Sequence, residues 1–300
     1  MKKQYKCLIW GIGAEFEKYI NLIHYQELLG NIKIVGVTSA ESWFKSVFSY
    51  PFIKKEELSN VEIDIVLVAS DRQFMRIRQN ALDVGFEEFQ IINCRALELP
   101  YFNFQKYISL LENPISILAN NCWGGLIYHR LALPFTSPFV NMFERDEDYI
   151  KILKEPQKYM KLPLKFEKTL YNETLEQTYP VCSCGDTLLY FNHYASFEEA
   201  NEKWEQRKQR INWDNVFVMM RAENKESERE FHSLPYDKRI CFVPFASENK
   251  MSFEIEYYSQ ISKLPFSLLV NGTAQGKNKG YSLLDLLCDG CIKKVYELDK

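Results

Sequence analysis

The strongest constraint on the fold is a strand–turn–helix pattern between residues 115 and 131. A short apolar run from Ile115 to Ala119 predicts a buried strand, which stops at the polar, glycine-rich turn Asn120-Asn121-Cys122-Trp123-Gly124-Gly125. Apolar residues then recur at helical spacing, at Trp123, Leu126, Ile127 and Leu131. This order of elements is typical of α/β proteins, in which the amides at the start of such a helix face any bound ligand.

A second pattern of this kind begins the chain. Residues 5–10 predict a strand, a helix follows to about residue 29, and residues 32–37 predict a parallel partner strand. Gly11 and Gly13 occupy the first two positions of the phosphate-binding pattern G-x-G-x-x-G, but Phe16 takes the third. Thr38-Ser39 stands where an acidic residue would hold a ribose. The pattern therefore indicates an incomplete nucleotide site at Gly11 and Gly13 and disfavours ordinary redox use of NAD; the alternative is a Rossmann scaffold that binds nothing.

The length of 300 residues suits two domains. Leu99-Pro100 breaks the pattern and Asn113-Pro114 closes the connecting helix that follows, so we predict domains at 1–112 and 113–300. The first is expected to hold a Rossmann-like parallel sheet, and the second, where strands alternate with helices, a three-layer α/β fold. Within it, residues 139–143 predict a short strand, and residues 179–186, with a proline and a glycine, predict a turn-rich passage.

The overall charge and composition exclude several classes of partner. The net charge of -3 does not favour nucleic acid or an anionic membrane surface. No apolar run reaches the eighteen or so residues of a membrane-spanning helix, so we expect a chain that does not span a membrane. The eight cysteines follow no secreted framework, and no signal peptide follows Met1, so a cytoplasmic location is expected. A homo-oligomer is compatible with these features.

A cysteine and a histidine form the first candidate for chemistry. Cys122 is predicted at the start of a helix, where the dipole lowers a thiol pKa, and His193 follows a predicted strand. The two could act as nucleophile and base, with Asp186 or Asn192 orienting the imidazole. The alternative is that Cys122 packs as a small apolar side chain.

The second candidate is an anion site for a nucleotide-sugar or sugar phosphate. Asn120, Asn121 and the amides of Gly124 and Gly125 would line it, together with His193. Arg207 and Arg210 would add charge from a helix that a capping box opens, with Ser196 as N-cap and Glu199 three residues on. The alternative is that these arginines belong to a solvated helix face.

Two cysteine pairs raise the question of a metal. Cys182-x-Cys184 and Cys288-x-x-Cys291 each supply half of a zinc site, but about a hundred residues separate them. Structural zinc sites have far more compact ligand spacing, so no metal is expected.

Several motifs of the second domain resemble one bacterial family. They are Asn120-Asn121-Cys122-Trp123-Gly124-Gly125, Ser137-Pro138, Tyr179-Pro180, Asp186, His193-Tyr194, Glu198-Glu199-Ala200 and Trp204-x-x-Arg207-x-x-Arg210-Ile211-Asn212. Together they look like the family of unknown function numbered 1919, over about residues 115–245. Members are often labelled exopolysaccharide biosynthesis proteins, so the resemblance implies a pathway, and the family has no established reaction.

Two further resemblances bear on the sites. The first hundred residues resemble the Rossmann-like modules at the front of bacterial surface-polysaccharide enzymes such as sugar acetyltransferases and dehydratases, whose glycine turn faces a nucleotide-sugar or dinucleotide. The order of Cys122, His193 and the paired arginines is similar to a group labelled papain-like cysteine peptidases. The leading expectation is a transferase of exopolysaccharide biosynthesis that acts on a nucleotide-activated or phosphorylated sugar. A Cys–His thiol hydrolase or acyltransferase and a non-catalytic binding or scaffold protein are the alternatives.

Overall fold

The chain folds into two units, each built around a parallel sheet. The computed structural model describes residues 3–40, 46–173, 176–255, 266–274, 281–290 and 292. Of these residues, those up to 112 together with 130–132 form unit 1, and the others form unit 2. The parallel sheets and their helices confirm the predicted α/β class.

Unit 1 carries the glycine turn on its central strand. Its elements are β1 (Tyr5–Trp10), α1 (Phe16–Leu28), β2 (Ile32–Thr38), β3 (Ser46–Val47), β4 (Tyr50–Pro51), β5 (Ile65–Val68), α2 (Phe74–Val84), β6 (Ile91–Asn93) and α3 (Phe104–Glu112). The sheet has the order β2-β1-β5-β6, and every pairing in it is parallel. The chain therefore leaves β1 in one direction and β5 in the other. The carboxyl ends of these two strands form a topological switch point, where open α/β sheets bind ligands.

Continuous apolar strands and amphipathic helices explain the core of unit 1. β5 is buried along its whole length, as expected for a parallel strand covered on both faces. Phe16, Tyr19, Ile20 and Ile23 recur at helical spacing and form the buried face of α1. Phe16, at the third position of the glycine pattern, is thus a core residue.

Unit 2 combines a second parallel sheet with a smaller antiparallel one. Its elements are β7 (Ser116–Ala119), α4 (Trp123–Leu131), α5 (Asp146–Lys154), α6 (Pro156–Tyr159), β8 (Leu164–Asn172), β9 (Gln177–Cys184), β10 (Thr187–Tyr190), α7 (Phe197–Lys208), β11 (Val216–Arg221), α8 (Lys225–His232), β12 (Arg239–Val243), β13 (Ser252–Glu254), α9 (Phe266–Thr273) and α10 (Leu283–Asp289). The parallel sheet has the order β13-β12-β11-β7. β7 pairs with β11, so the predicted strand before the asparagine–glycine turn forms as expected.

The antiparallel sheet, of order β10-β9-β8, replaces a predicted turn region. The prediction of a turn-rich passage over residues 179–186 is wrong, because most of it is the central strand β9. Pro180 lies inside this strand, and its carbonyl accepts a hydrogen bond from the Phe191 amide at 3.0 Å. The turn itself is confined to Gly185, at φ 63°, and Asp186, between β9 and β10. The short strand predicted at residues 139–143 is also absent, apart from an isolated bridge between Phe143 and Tyr190.

Helix α7 is fixed by its cap and by one tryptophan. The Ser196 hydroxyl accepts from the Glu199 amide at 3.2 Å, and the Glu199 carboxylate accepts from the Ala195 amide at 3.0 Å. The predicted N-cap is therefore confirmed. Trp204 is buried, with its ring 5.6 Å from that of Phe139. This anchoring sets the direction of Arg207, one turn further along the helix.

Candidate functional site

A cavity lies in unit 1 at the switch point. It encloses about 860 Å³ beside the loop from Gly11 to Ala14, where β1 meets α1. Gly11 has φ 100°, and its amide donates to the carbonyl of Thr38 at 3.0 Å. A side chain at this φ would be strained, so glycine lets the chain turn sharply at the end of β1. Gly13 has open space where a side chain would begin, which allows a ligand to approach the backbone.

The cavity is positively charged. Four cationic side chains line it, Lys54, Lys55, Arg72 and Arg76, against two acidic ones. All four are exposed. Lys55 contacts Asn80 at 3.4 Å, whereas the side chains of Arg72 and Arg76 make no hydrogen bond or ion pair within the described part of the chain. The two arginines are therefore free to bind an anion such as a phosphate.

Glu15 is one of the two acidic residues, and it ties the glycine loop to the loop after β5. Its carboxylate accepts from the Ser70 hydroxyl at 2.5 Å and from the Arg72 amide at 3.3 Å. The negative charge of Glu15 is thus already engaged with two donors. The loop that carries Arg72 is held beside the glycine turn by the same contacts.

In unit 2, Asn120 ties the carboxyl end of β7 to that of β11. Its Oδ1 accepts from the Arg221 amide at 2.8 Å, and its Nδ2 donates to the Arg221 carbonyl at 3.1 Å. Asn120 is fully buried, and Nδ2 also approaches Asp146 Oδ1 at 3.4 Å. Both ends of this amide are used by the protein. Asn120 therefore shapes the turn and has little capacity left for a ligand.

The next residues of the turn divide between capping and packing. Asn121 Oδ1 accepts from the Trp123 amide at 2.9 Å, while Asn121 Nδ2 is buried with no partner among the described residues. A side chain at Gly124 would meet Ile117 at 3.1 Å, and one at Gly125 would meet Val140 at 3.1 Å. Both glycines allow α4 to pack closely on its neighbours. No anion contact is needed to explain them.

Tyr194 and Arg207 meet in unit 2, and Cys122 lies within electrostatic range of Tyr194. Arg207 Nη1 donates to the Tyr194 hydroxyl at 2.6 Å, and that hydroxyl donates to the Val140 carbonyl at 2.7 Å. Burial raises the pKa of Tyr194, Arg207 lowers it, and Glu199 and Cys122 add smaller effects that raise it. The Arg207 guanidinium also lies 5.2 Å from the centre of the Phe135 ring. The histidine–tyrosine and W-x-x-R motifs therefore meet at the Tyr194 hydroxyl, which bonds to Val140 beside Gly125 of the turn.

The thiol of Cys122 is not activated. Burial, and secondarily the charge of Glu144, raise its pKa to about 11. Cys122 is partly exposed, yet it makes no hydrogen bond with His193. His193 is exposed, and it makes no hydrogen bond, ion pair or ring contact within the described residues. Its pKa is lowered by partial shielding from water. Cys122 and His193 are therefore not hydrogen-bonded to each other as a nucleophile and its base would be.

Asp186 and Arg210 lie apart from this arrangement. Asp186 accepts from the Tyr159 hydroxyl at 2.7 Å and from Lys151 Nζ at 3.4 Å, and both contacts lower its pKa. It does not bond to His193. The Arg210 side chain is exposed and makes no contact of these kinds within the described residues, although it lies one turn after Arg207. Of the two predicted arginines, Arg207 alone bonds to Tyr194.

Sequence reasoning missed Glu144. This residue comes after β7 and α4 in the chain and is 1% exposed, with both carboxyl oxygens buried and unpartnered among the described residues. Its backbone amide lies 3.5 Å from the carbonyl of Asn120. Burial, reinforced by the charge of Asp148, raises its pKa well above the ordinary value. No sequence signal marks it, since it stands in an acidic stretch that is typical of exposed chain.

The described residues offer neither a metal site nor a membrane span. This part of the chain has no group of three His, Cys, Asp or Glu side chains that could hold a metal ion, and Cys291 lies outside it. Among the helices of the described ranges, none is long and apolar enough to cross a membrane.

The fold and the two sites define a two-unit α/β protein with a charged cavity at the end of one parallel sheet and a capped asparagine turn at the end of the other. The profile described as Domain of unknown function (DUF1919) matches residues 93–281, more than half of the chain, so the protein belongs to this family. Residues 3–92 match the profile described as C2185-like, N-terminal. An uncharacterized protein of Haemophilus influenzae is 35% identical over 137 residues, which cover 45% of this chain and 64% of that relative.

Proposed function

We propose that this protein is a transferase of surface-polysaccharide assembly that binds a nucleotide-activated or phosphorylated sugar. The observation that carries the proposal is the cavity of about 860 Å³ in unit 1, where the glycine turn and four cationic side chains meet at the switch point of a parallel sheet. A flexible glycine backbone and uncommitted cations suit a phosphate group. The volume also leaves room for the nucleoside or sugar attached to it.

The residues after β2 narrow the class of ligand. This strand ends at Thr38, and Ser39 and Ala40, which line the cavity, carry no acidic group to hold a ribose, while Glu41 lies outside the described residues. NAD recognition in this fold normally uses such an acidic group. A nucleotide-sugar or sugar phosphate therefore fits better than a redox dinucleotide. The polysaccharide pathway itself is proposed on the likeness of the unit 2 motifs to proteins labelled with that role.

The thiol alternative has less support than the transferase. Burial raises the pKa of Cys122 to about 11, so the thiol stays protonated at neutral pH, and no base is hydrogen-bonded to it within the described residues. Glycosyl or related transfer needs no such nucleophile, because positioning and stabilisation of the leaving group can carry it. A scaffold protein without a ligand is the other alternative, and a binding screen separates it from the transferase.

A thermal-shift screen tests the proposal directly. The full chain is heated with nucleoside diphosphates, nucleotide-sugars, sugar phosphates and NAD at millimolar concentration. A ligand that binds the folded state raises the midpoint in proportion to RT ln(1 + [L]/Kd), so weak binders also register. We expect stabilisation by at least one phosphate-bearing sugar or nucleotide, and little by NAD. If no ligand of the panel raises the unfolding midpoint, the result would favour a scaffold protein without a ligand.

A further inference from the structure

Three polar atoms at the carboxyl end of β7 are buried without partners. They are both carboxyl oxygens of Glu144 and the Nδ2 of Asn121, and none has a hydrogen-bond partner among the described residues. Glu144 is 1% exposed and Asn121 is 5% exposed. Leaving one such group unpaired costs about 1–3 kcal/mol, so proteins keep few of them. Three around one turn indicate that the protein uses them for something other than stability.

The two residues belong to the same corner of unit 2. The Glu144 amide lies 3.5 Å from the carbonyl of Asn120, which directly precedes Asn121. The carboxyl group is close enough to Cys122 for its charge to raise the pKa of the thiol. Within the turn from Asn120 to Gly125, Cys122 is the residue that is partly exposed. The residues that carry the unpartnered atoms therefore lie at the same turn as a side chain that reaches solvent.

The charge state of Glu144 decides what such a corner can bind. No cationic side chain pairs with its carboxyl group in the described part of the chain, and Arg207 is already bonded to Tyr194. A buried carboxyl without a counter-charge takes up a proton, because the ionised form is costly in a low-dielectric site. The neutral acid then offers one O–H donor and a carbonyl acceptor, and Asn121 adds an N–H donor. Hydroxyl groups match this set, whereas anions do not.

We propose that Glu144 and Asn121 bind the hydroxyl groups of an uncharged sugar ring at the carboxyl end of β7, with Cys122 at the entrance. Glu144 would donate to one hydroxyl oxygen and accept from another, and Asn121 Nδ2 would donate to a third. Cys122 lines the site and forms no covalent bond. The choice of a sugar among hydroxyl-bearing molecules rests on the proposed function, whereas the position and polarity of the site do not.

Alkylation of Cys122 provides the test. Its reaction with N-ethylmaleimide is followed by peptide mass spectrometry, which separates it from the other cysteines, five of which are buried. D-glucose, D-galactose and N-acetyl-D-glucosamine are the probes, at high millimolar concentration. We expect at least one of them to slow the alkylation severalfold in the wild-type chain. Each rate is compared with that of the same protein without sugar.

Two pairs of variants separate binding from folding. Glu144→Gln keeps a donor and an acceptor and should retain the protection, whereas Glu144→Leu should lose it. Asn121→Ser keeps an oxygen to cap the Trp123 amide but lacks the second donor, so it should weaken the protection. Near-ultraviolet circular dichroism confirms that each variant is folded.

Two results would overturn the proposal: no protection by any of the three sugars in the wild-type chain, or equal protection in folded Glu144→Leu. Because these probes carry no phosphate and the unit 1 cavity is unchanged, this outcome is independent of the nucleotide screen. If no nucleotide binds but a sugar still protects Cys122 from alkylation, the proposed function is rejected and the sugar site is retained.

Discussion

Arg207 donates a hydrogen bond of 2.6 Å to the hydroxyl of Tyr194, which in turn donates one of 2.7 Å to the carbonyl of Val140. Tyr194 is 4% exposed, so this chain of hydrogen bonds is shielded from water. It joins α7 to the segment that packs on Gly125 of the asparagine turn. The family motifs around Tyr194, Arg207 and the turn are therefore linked by contact.

The link between Arg207 and Tyr194 predicts an energetic coupling. Tyr194→Phe removes the bridging hydroxyl and should lower the free energy of unfolding by about 1.5 kcal/mol, the value for a hydrogen bond to a charged group. Arg207→Ala in the Tyr194→Phe background should cost less than Arg207→Ala alone. Urea unfolding of the four proteins measures the cycle. Arg210→Ala, at an exposed site on the same chain segment, is the control and should change stability little. Strict additivity would contradict the coupling.

Asn120 is predicted to be a structural residue. Asn120→Ala leaves the amide and carbonyl of Arg221 without their side-chain partner in a buried place. We expect a loss of about 1–3 kcal/mol in the free energy of unfolding. The matched control is Asn201→Ala in α7, whose side chain makes no hydrogen bond to the described residues. Equal stability of the two variants would show that Asn120 does not hold the strand ends together.

Glu144 should make stability depend on pH. Its pKa in the folded protein is raised above the ordinary 4.5, chiefly by burial. The folded state therefore keeps a proton that the unfolded chain releases, and wild-type stability falls as the pH rises above that value. The titratable groups that face it are Asp148, Cys122 and Tyr149.

The variant Glu144→Gln isolates this contribution. It carries no titrating proton, so it should exceed the wild type in stability at mildly alkaline pH, and the difference should shrink toward acidic pH. Urea unfolding over a pH series measures it. A difference that is constant with pH would mean that Glu144 is ionised in the folded protein.

His232 should act in the opposite pH direction. The hydroxyl of Ser252 donates to the Glu228 carboxylate, so His232 Nε2 must donate to Ser252 Oγ, at 2.9 Å. Burial, and then the charge of Arg239, lower the pKa of His232 from 6.5 to about 4, while Glu228 raises it. The unfolded chain binds the proton first, so wild-type stability falls as the pH drops from 6.5 through 4.

Replacement of His232 by glutamine tests this assignment. His232→Gln keeps an N–H donor for Ser252 but does not titrate, so its stability should fall less over the same pH range. Thermal unfolding midpoints at each pH give the comparison. Equal slopes for the wild type and the variant would assign the acid sensitivity to other groups.

The sequence predicts the parts of the fold that depend on local pattern. The apolar run before Asn120, the cap at Ser196 and the buried Trp204 follow from spacing and cap chemistry, and all three are present. The sequence does not predict the strand β9, because Pro180 and Gly185 are turn signals in isolation. In the fold, pairing with strands on both sides overrides these signals. Sheet pairing is a tertiary effect that no local window contains.

The same distinction applies to the sites. Gly11 and Gly13 are predicted from a local sequence pattern, whereas Arg72 and Arg76 come to the cavity from a loop and a helix far along the chain. The sequence does not predict Glu144 as a site residue, for a related reason. Its burial arises from the segments that surround it, and its own neighbours in the sequence are charged. The sequence does not decide whether Cys122 and His193 are adjacent, since spacing does not specify which side chains meet.

Calorimetric titration of a nucleotide-sugar such as UDP-glucose is the most direct test of the proposed function. The proteins are the wild type, Arg72→Ala with Arg76→Ala, and Arg78→Ala, whose side chain lies on α2 but pairs with Glu88 outside the cavity. We expect the wild type and Arg78→Ala to bind alike. The double variant should bind at least about tenfold more weakly, since one charged hydrogen bond contributes roughly 1.5 kcal/mol. Equal affinity in all three proteins, or binding by none, would contradict the proposed site.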